Sequence, residues 1–114
     1  MTAQITAQKI SSYLTSNRFG KSNWRGTQAE YLLQWVEKSR IYNQISPELY
    51  SEVQLSTFLN AAVADTPNLA TVYTAQVTAR RAGGITTPMH FNEFTAELLQ
   101  AAAVHDAAVS FKKP

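Results

Sequence analysis

A chain of 114 residues without cysteine, carrying a net charge of +2, has the length of one domain and no means to form a disulfide or a thiolate metal site. Hydrophobic residues make up an ordinary 45%, but charged residues only 16%, against the roughly 25% usual for a globular protein. A pI near 9.0 is too mild to signal nucleic-acid binding by itself, and no window approaches the 18 or so consecutive apolar residues of a membrane-spanning helix.

The surface left by this composition is rich in Gln, Thr, Ser, Asn and Ala. It costs little to desolvate, because few ions must be stripped of water. That suits a chain that works against a partner, and equally an ordinary monomer. The charges are unevenly placed. Residues 1–29 hold Lys9, Arg18, Lys21 and Arg25 and no acid, whereas residues 46–114 hold four bases and six acids.

The periodicity predicts an all-α bundle of about five helices joined by short loops, over residues 2–15, 27–40, 47–63, 67–82 and 88–111. In the first, Ala3, Ala7, Ile10 and Leu14 recur at helical spacing behind Thr2 as a cap. Its apolar face is small, so residues 1–26 are expected to be loosely attached or to bind a partner. The N-terminus lacks a charged segment followed by an apolar one, so it does not read as a secretory signal.

Residues 16–26, SNRFGKSNWRG, break the pattern as a loop. Thr27 and Glu30 then form a T-x-x-E capping box for the second helix, whose face is Leu32, Trp35 and Val36. Lys38 and Arg40 are expected in its last turn, where the macrodipole favours cations. Ser46-Pro47, Thr66-Pro67 and Thr87-Pro88 each place a good N-cap before a proline, a favoured first helical residue. They are read as the starts of the third, fourth and fifth helices. Gly83-Gly84 supplies the stop after Arg80 and Arg81. On the fifth helix Phe91, Phe94, Leu98, Ala101, Ala102, His105 and Val109 share one arc, and Asp106 falls outside it.

Few groups suggest chemistry. His90, Glu93 and Glu97 follow one another on one side of the fifth helix, as a metal site or acid–base centre would require. The same acids equally suit a solvated helix start. His105 reads as a packed histidine. No nucleophile elbow and no phosphate loop is present. No catalytic residue, cofactor or metal is therefore assigned, and the chain is not expected to be an enzyme; a metal-dependent or acid–base enzyme around His90 and Glu93 is the remote alternative.

Two places remain as candidate interaction sites. In the loop, Arg18, Lys21 and Arg25 interleave with Phe19 and Trp24. Such a set fits a protein hot spot or a stacking, phosphate-holding surface, or else the two aromatics fold back to close the bundle. Arg80 and Arg81 before the glycines fit an anion-binding corner or a favourable helix end. The expected function is a non-enzymatic interaction or assembly module, an adaptor or a subunit of a larger cellular or viral complex. Its partner would be a protein or a second copy, with nucleic acid as the alternative and no membrane. The expected location is cytoplasmic, or inside a host cell if viral.

Overall fold

A computed structural model of the chain describes the backbone of residues 3–19, 24 and 26–112, and the side chains of residues 6–19, 24 and 26–109. The fold is all-α, as expected. Its elements are α1 (Ala3–Ser16), α2 (Gln28–Ile45), α3 (Glu52–Ala62), a single turn α4 (Pro67–Ala70), α5 (Val72–Ala82) and α6 (Phe91–Lys112). The molecule is a slab, 45 × 45 × 18 Å. None of its described helices is long and apolar enough to cross a membrane.

The central pair is α2 against α6; α1 lies across α2 and α3, while α3, α4 and α5 all rest on α6. The side chains buried between them are Leu14 of α1, Tyr31, Leu32 and Trp35 of α2, Leu59 and Val63 around the end of α3, Leu69 of α4, and Phe94, Leu98 and Ala102 of α6. Removing a Leu or Phe of this kind from water contributes about 1.5–3 kcal/mol each. The first helix therefore packs on its own chain through Ala7 and Leu14. Ser11 and the Tyr50 hydroxyl, 2.6 Å apart, fasten it further, and Lys38 lies 4.9 Å from the centre of the Tyr13 ring. Its expected cap, Thr2, lies outside the described residues.

Several boundaries differ from the sequence expectation, each for a local reason. Helix α2 continues past Arg40 to Ile45, because Tyr42 is buried and Ile45 packs against the core one turn beyond Ser39. Arg40 thus sits in mid-helix, paired with Glu37 across one turn. Helix α3 begins at Glu52 rather than at Pro47. The Ser46 hydroxyl is taken up locally, donating to Glu48 O and accepting from Glu48 N–H. The Asn43 amide clasps Tyr50 from both sides, accepting from its N–H at 3.0 Å and donating to its C=O at 3.2 Å. Stacking of Tyr50 on Tyr42, with ring centres 4.6 Å apart, completes a non-helical link. The helix then opens on a full capping box, Ser51 with Gln54.

Thr66-Pro67 does start a helix, but Thr66 makes no side-chain cap bond and the helix is interrupted at Thr71. Gly83-Gly84 ends α5 as expected. Gly84 takes φ 79°, a left-handed conformation natural for glycine, and Ile85 N–H returns to Arg80 O at 2.8 Å. Helix α6 starts at Phe91, not at Pro88. The Arg80 guanidinium captures both Thr87 O and its hydroxyl, which holds that segment away from helical pairing. Glu93 Oε1 then accepts from His90 N–H at 3.4 Å in the first turn.

Candidate interaction surfaces

The loop before α2 is bound to the fold by three of the candidate residues, and its aromatics fold back on the bundle, one of the alternatives the sequence left open. Phe19 N–H donates to Ala62 O at 2.8 Å, and the Arg18 guanidinium donates to Ala61 O. Both carbonyls belong to the end of α3, where orphan acceptors and the negative pole favour such donors. The Phe19 ring is tilted against Tyr31 at 4.8 Å, and Trp24 meets the same ring edge-on at 5.5 Å. The Trp24 indole N–H donates to Thr27 O at 2.9 Å. Of the five loop candidates, then, Arg18, Phe19 and Trp24 are engaged by the bundle, and Lys21 and Arg25 lie outside the described residues. Burial raises the Tyr31 hydroxyl far above its ordinary value, with the nearby Tyr13 adding to it and Arg18 opposing. That hydroxyl donates to Asn17 Oδ1 at 2.6 Å.

The acids and histidines of α6 do not converge. His90 Nδ1 lies 3.0 Å from Glu52 Oε2 of α3, Glu93 pairs with Arg80 at 3.4 Å, and Glu97 accepts from Gln76 at 3.2 Å. Each side chain is directed to a different neighbour. Among the described residues no group of three or more His, Asp or Glu is placed to hold a metal ion.

Asp106, expected on the outer side of the last helix, has a structural task. Its two carboxylate oxygens accept from Gln28 N–H and Ala29 N–H, both at 3.1 Å. Thr27 covers the third N–H, that of Glu30, at 3.1 Å. A carboxylate of α6 thereby completes the cap of α2 and sits at its positive pole. Beside it the Gln28 and Asn68 amides exchange two hydrogen bonds, of 3.2 and 2.7 Å, tying α4 to the same point.

Two surfaces stand out among the described residues. The first is the outer face of α6 in its C-terminal half. From residue 96 to 109 the exposed positions are Ala96, Gln100, Ala103, Val104, Ala107, Ala108 and Val109. The first six share one side of the helix as a lane and carry no charge, with Val104 67% exposed; half-buried Glu97 lies beside them, and Val109 is exposed near the helix end on the arc of Phe94 and Leu98. The second is a cleft of about 510 Å³ between α3, α5 and the link from Gly83 to His90. Helix α5 has an apolar side, Val72, Tyr73 and Val77, yet not one fully buried residue. It leans on α6 and stands off from α3, leaving this gap. Val53, Ser56, Tyr73, Val77, Ile85 and Met89 line it, and Arg80 and Arg81 reach it from the end of α5. The expected Arg80–Arg81 corner is thus split: Arg80 is committed to Thr87 and Glu93, while Arg81 is exposed and has no ion-pair partner among the described residues.

Sequence reasoning missed both surfaces. The lane on α6 was visible as a run of Ala and Val on the side opposite Phe94 and Leu98. The cleft had no local signal, since its walls come from three separate segments. Comparison with known protein families, with characterised proteins and with solved structures finds no match.

Proposed function

We propose that this chain is a non-enzymatic assembly module, and that it pairs with a second copy of itself through the outer face of α6. The observation that carries this reading is the set of exposed, uncharged side chains on one side of α6, Ala96, Gln100, Ala103, Val104, Ala107 and Ala108. A surface helix ordinarily turns charged residues to water on the side away from the core. Here the inner side packs Phe94, Leu98 and Ala102 into the core, and the outer side of the C-terminal half turns small apolar side chains and one amide, Gln100, to solvent. An exposed apolar patch of this kind marks a place where a further molecule can pack. Ala at four of these six positions lets another helix approach closely, toward the 8 Å end of the usual range of axial separations. A face without charge also favours its own copy, because a two-fold contact sets each group near its like, and no like charges meet.

Solution mass measured by light scattering across a wide concentration range tests this. A mass of twice 12.6 kDa that reverts to the monomer in Val104→Glu is the expected result. Val104 is exposed, so the variant keeps its fold, which a circular dichroism spectrum checks. A protein that stays monomeric at the highest concentration, or a dimer indifferent to Val104→Glu, overturns the proposal.

A further inference from the structure

The cleft between α3 and α5 is independent of the lane on α6, and its chemistry is more selective. Its volume of about 510 Å³ falls within the range of small-molecule sites, about 300–1,000 Å³. Its walls are mainly apolar, and two of them are held out to solvent at the mouth: Val53 is 56% exposed and Ile85 45%. Among the polar groups of this lining, Arg80 and Thr87 are engaged with each other, and two others, Ser56 and Arg81, stand out. Ser56 is only 4% exposed, and its hydroxyl has no hydrogen-bond partner. Buried hydroxyls are nearly always satisfied, and this one lies in the cleft wall. Arg81 brings a positive charge that nothing described neutralises. Arg80 beside it is fixed by Thr87 and by Glu93, so one net positive charge remains at the cleft.

We infer that this cleft binds a small amphipathic monocarboxylate, an apolar body of about ten carbons with its carboxylate on Arg81. The apolar body covers Val53, Tyr73, Val77, Ile85 and Met89, and so supplies the cover that α5 lacks. Arginine suits the head group, because its planar fork matches a carboxylate with two parallel bonds. A cationic amphiphile of the same length meets the charge of Arg81 and is repelled. A neutral one keeps only the apolar contact.

The probe is decanoate, compared with decanol and decyltrimethylammonium, each titrated below its aggregation concentration into the full chain labelled for backbone NMR. The expected result is saturable shifts at Val53, Ser56, Val77 and Ile85 with decanoate, about tenfold weaker binding of decanol, and none with the cation. Arg81→Gln should reduce decanoate affinity about tenfold, to that of decanol. Val53→Glu should abolish binding while leaving the fold intact, since Val53 is exposed and lies in the first turn of α3, where a carboxylate is welcome. Absence of saturation, equal binding of all three amphiphiles, or decanoate binding that survives Val53→Glu overturns the inference. None of these outcomes depends on whether the chain dimerises.

Discussion

Asp106→Ala is the substitution with the largest expected effect for the smallest change in volume. The side chain lies on the last helix, yet it accepts from the first two N–H groups of α2, Gln28 and Ala29, at 3.1 Å each. Hydrogen bonds to a charged group contribute about 1.5–3 kcal/mol, and a buried donor left without a partner carries its own desolvation penalty. Losing a helix cap costs about 0.5–2 kcal/mol. These descriptions overlap, because they count the same bonds, so the combined effect is about 2–3 kcal/mol rather than their sum. Gln28 is only 6% exposed, which limits rescue by water and favours the upper part of that range. For a domain of this size the corresponding fall in melting temperature is about 8–15 °C. Asp106→Asn keeps one acceptor and no charge, and should lose about half as much. Urea unfolding followed by circular dichroism measures the difference, with Asp65→Ala, an exposed acid, as a control expected within about 0.5 kcal/mol of the parent. If Asp106→Ala also falls within that margin, the cap supplied by α6 contributes nothing and the account of how α2 is anchored is wrong.

The remaining predictions concern single groups. Ser56→Ala removes a buried hydroxyl without a partner and should raise stability by about 1–2 kcal/mol, part of it from the better helix propensity of Ala. Urea unfolding measures it; a stability that does not rise beyond the roughly 0.5 kcal/mol that propensity alone supplies would mean that the hydroxyl is already satisfied. His90 should titrate above its ordinary 6.5, chiefly through its hydrogen bond to Glu52 and that carboxylate's charge, with Glu93 adding and burial and Arg80 opposing. Glu52 is correspondingly held below its ordinary 4.5, first by the bond to His90. The sign follows: the histidine's contribution is complete below 6.5 and lost as pH rises through its raised value, and that of Glu52 is lost as pH falls through its lowered one. The ion pair therefore operates between those two values. Both side chains are solvated, so the readout is the NMR titration of the His90 ring rather than stability; a midpoint that does not fall in Glu52→Gln would disprove the coupling.

Legibility in sequence followed the range of the interaction. Thr27, whose hydroxyl accepts from Glu30 N–H and so supplies the one half of the expected capping box that is seen, and Gly83-Gly84 after Arg80-Arg81, act within one turn, and both were readable from spacing alone. The three Ser/Thr-Pro pairs looked equivalent but are not. A proline permits a helix start without requiring one: Thr66-Pro67 opens a single turn with no side-chain cap bond, whereas in the other two pairs the hydroxyl is engaged outside any helix. Ser46 spends its hydroxyl on Glu48 and Thr87 on Arg80, while Ser51, with Gln54 three residues later, takes over the cap of α3. That S-x-x-Q was present in the sequence and outweighed the proline. Asp106 could not be read in this way. Its two partners lie 78 and 77 residues away, and no periodicity within α6 points to them. The same holds for Phe19 and Trp24, whose burial depends on Tyr31 and on the end of α3 rather than on their neighbours in the loop.

These long-range bonds are concentrated at one place, and this bears on where a partner or ligand can act. The start of α2 is held by Thr27, by Asp106 of α6 and by the Gln28–Asn68 pair, so three elements are fastened there by directional bonds between partly buried groups. Trp35, wholly buried beside Phe91, fills the space along the same helix. Helix α5 has nothing comparable. Its ties include Tyr73 against Phe94, edge-on at 5.2 Å, two polar links made by Gln76 and Arg80 to α6, and the Arg80 bonds to Thr87. Cohesion is thus concentrated in α2 and the inward face of α6. The lane and the cleft lie on what that core does not use, the outward face of α6 and the inward face of α5. A second copy on the first, or a carboxylate in the second, meets groups that already face solvent or an open cleft. Either can add contacts without breaking any of the bonds that fix α2, and neither needs a rearranged core in order to bind.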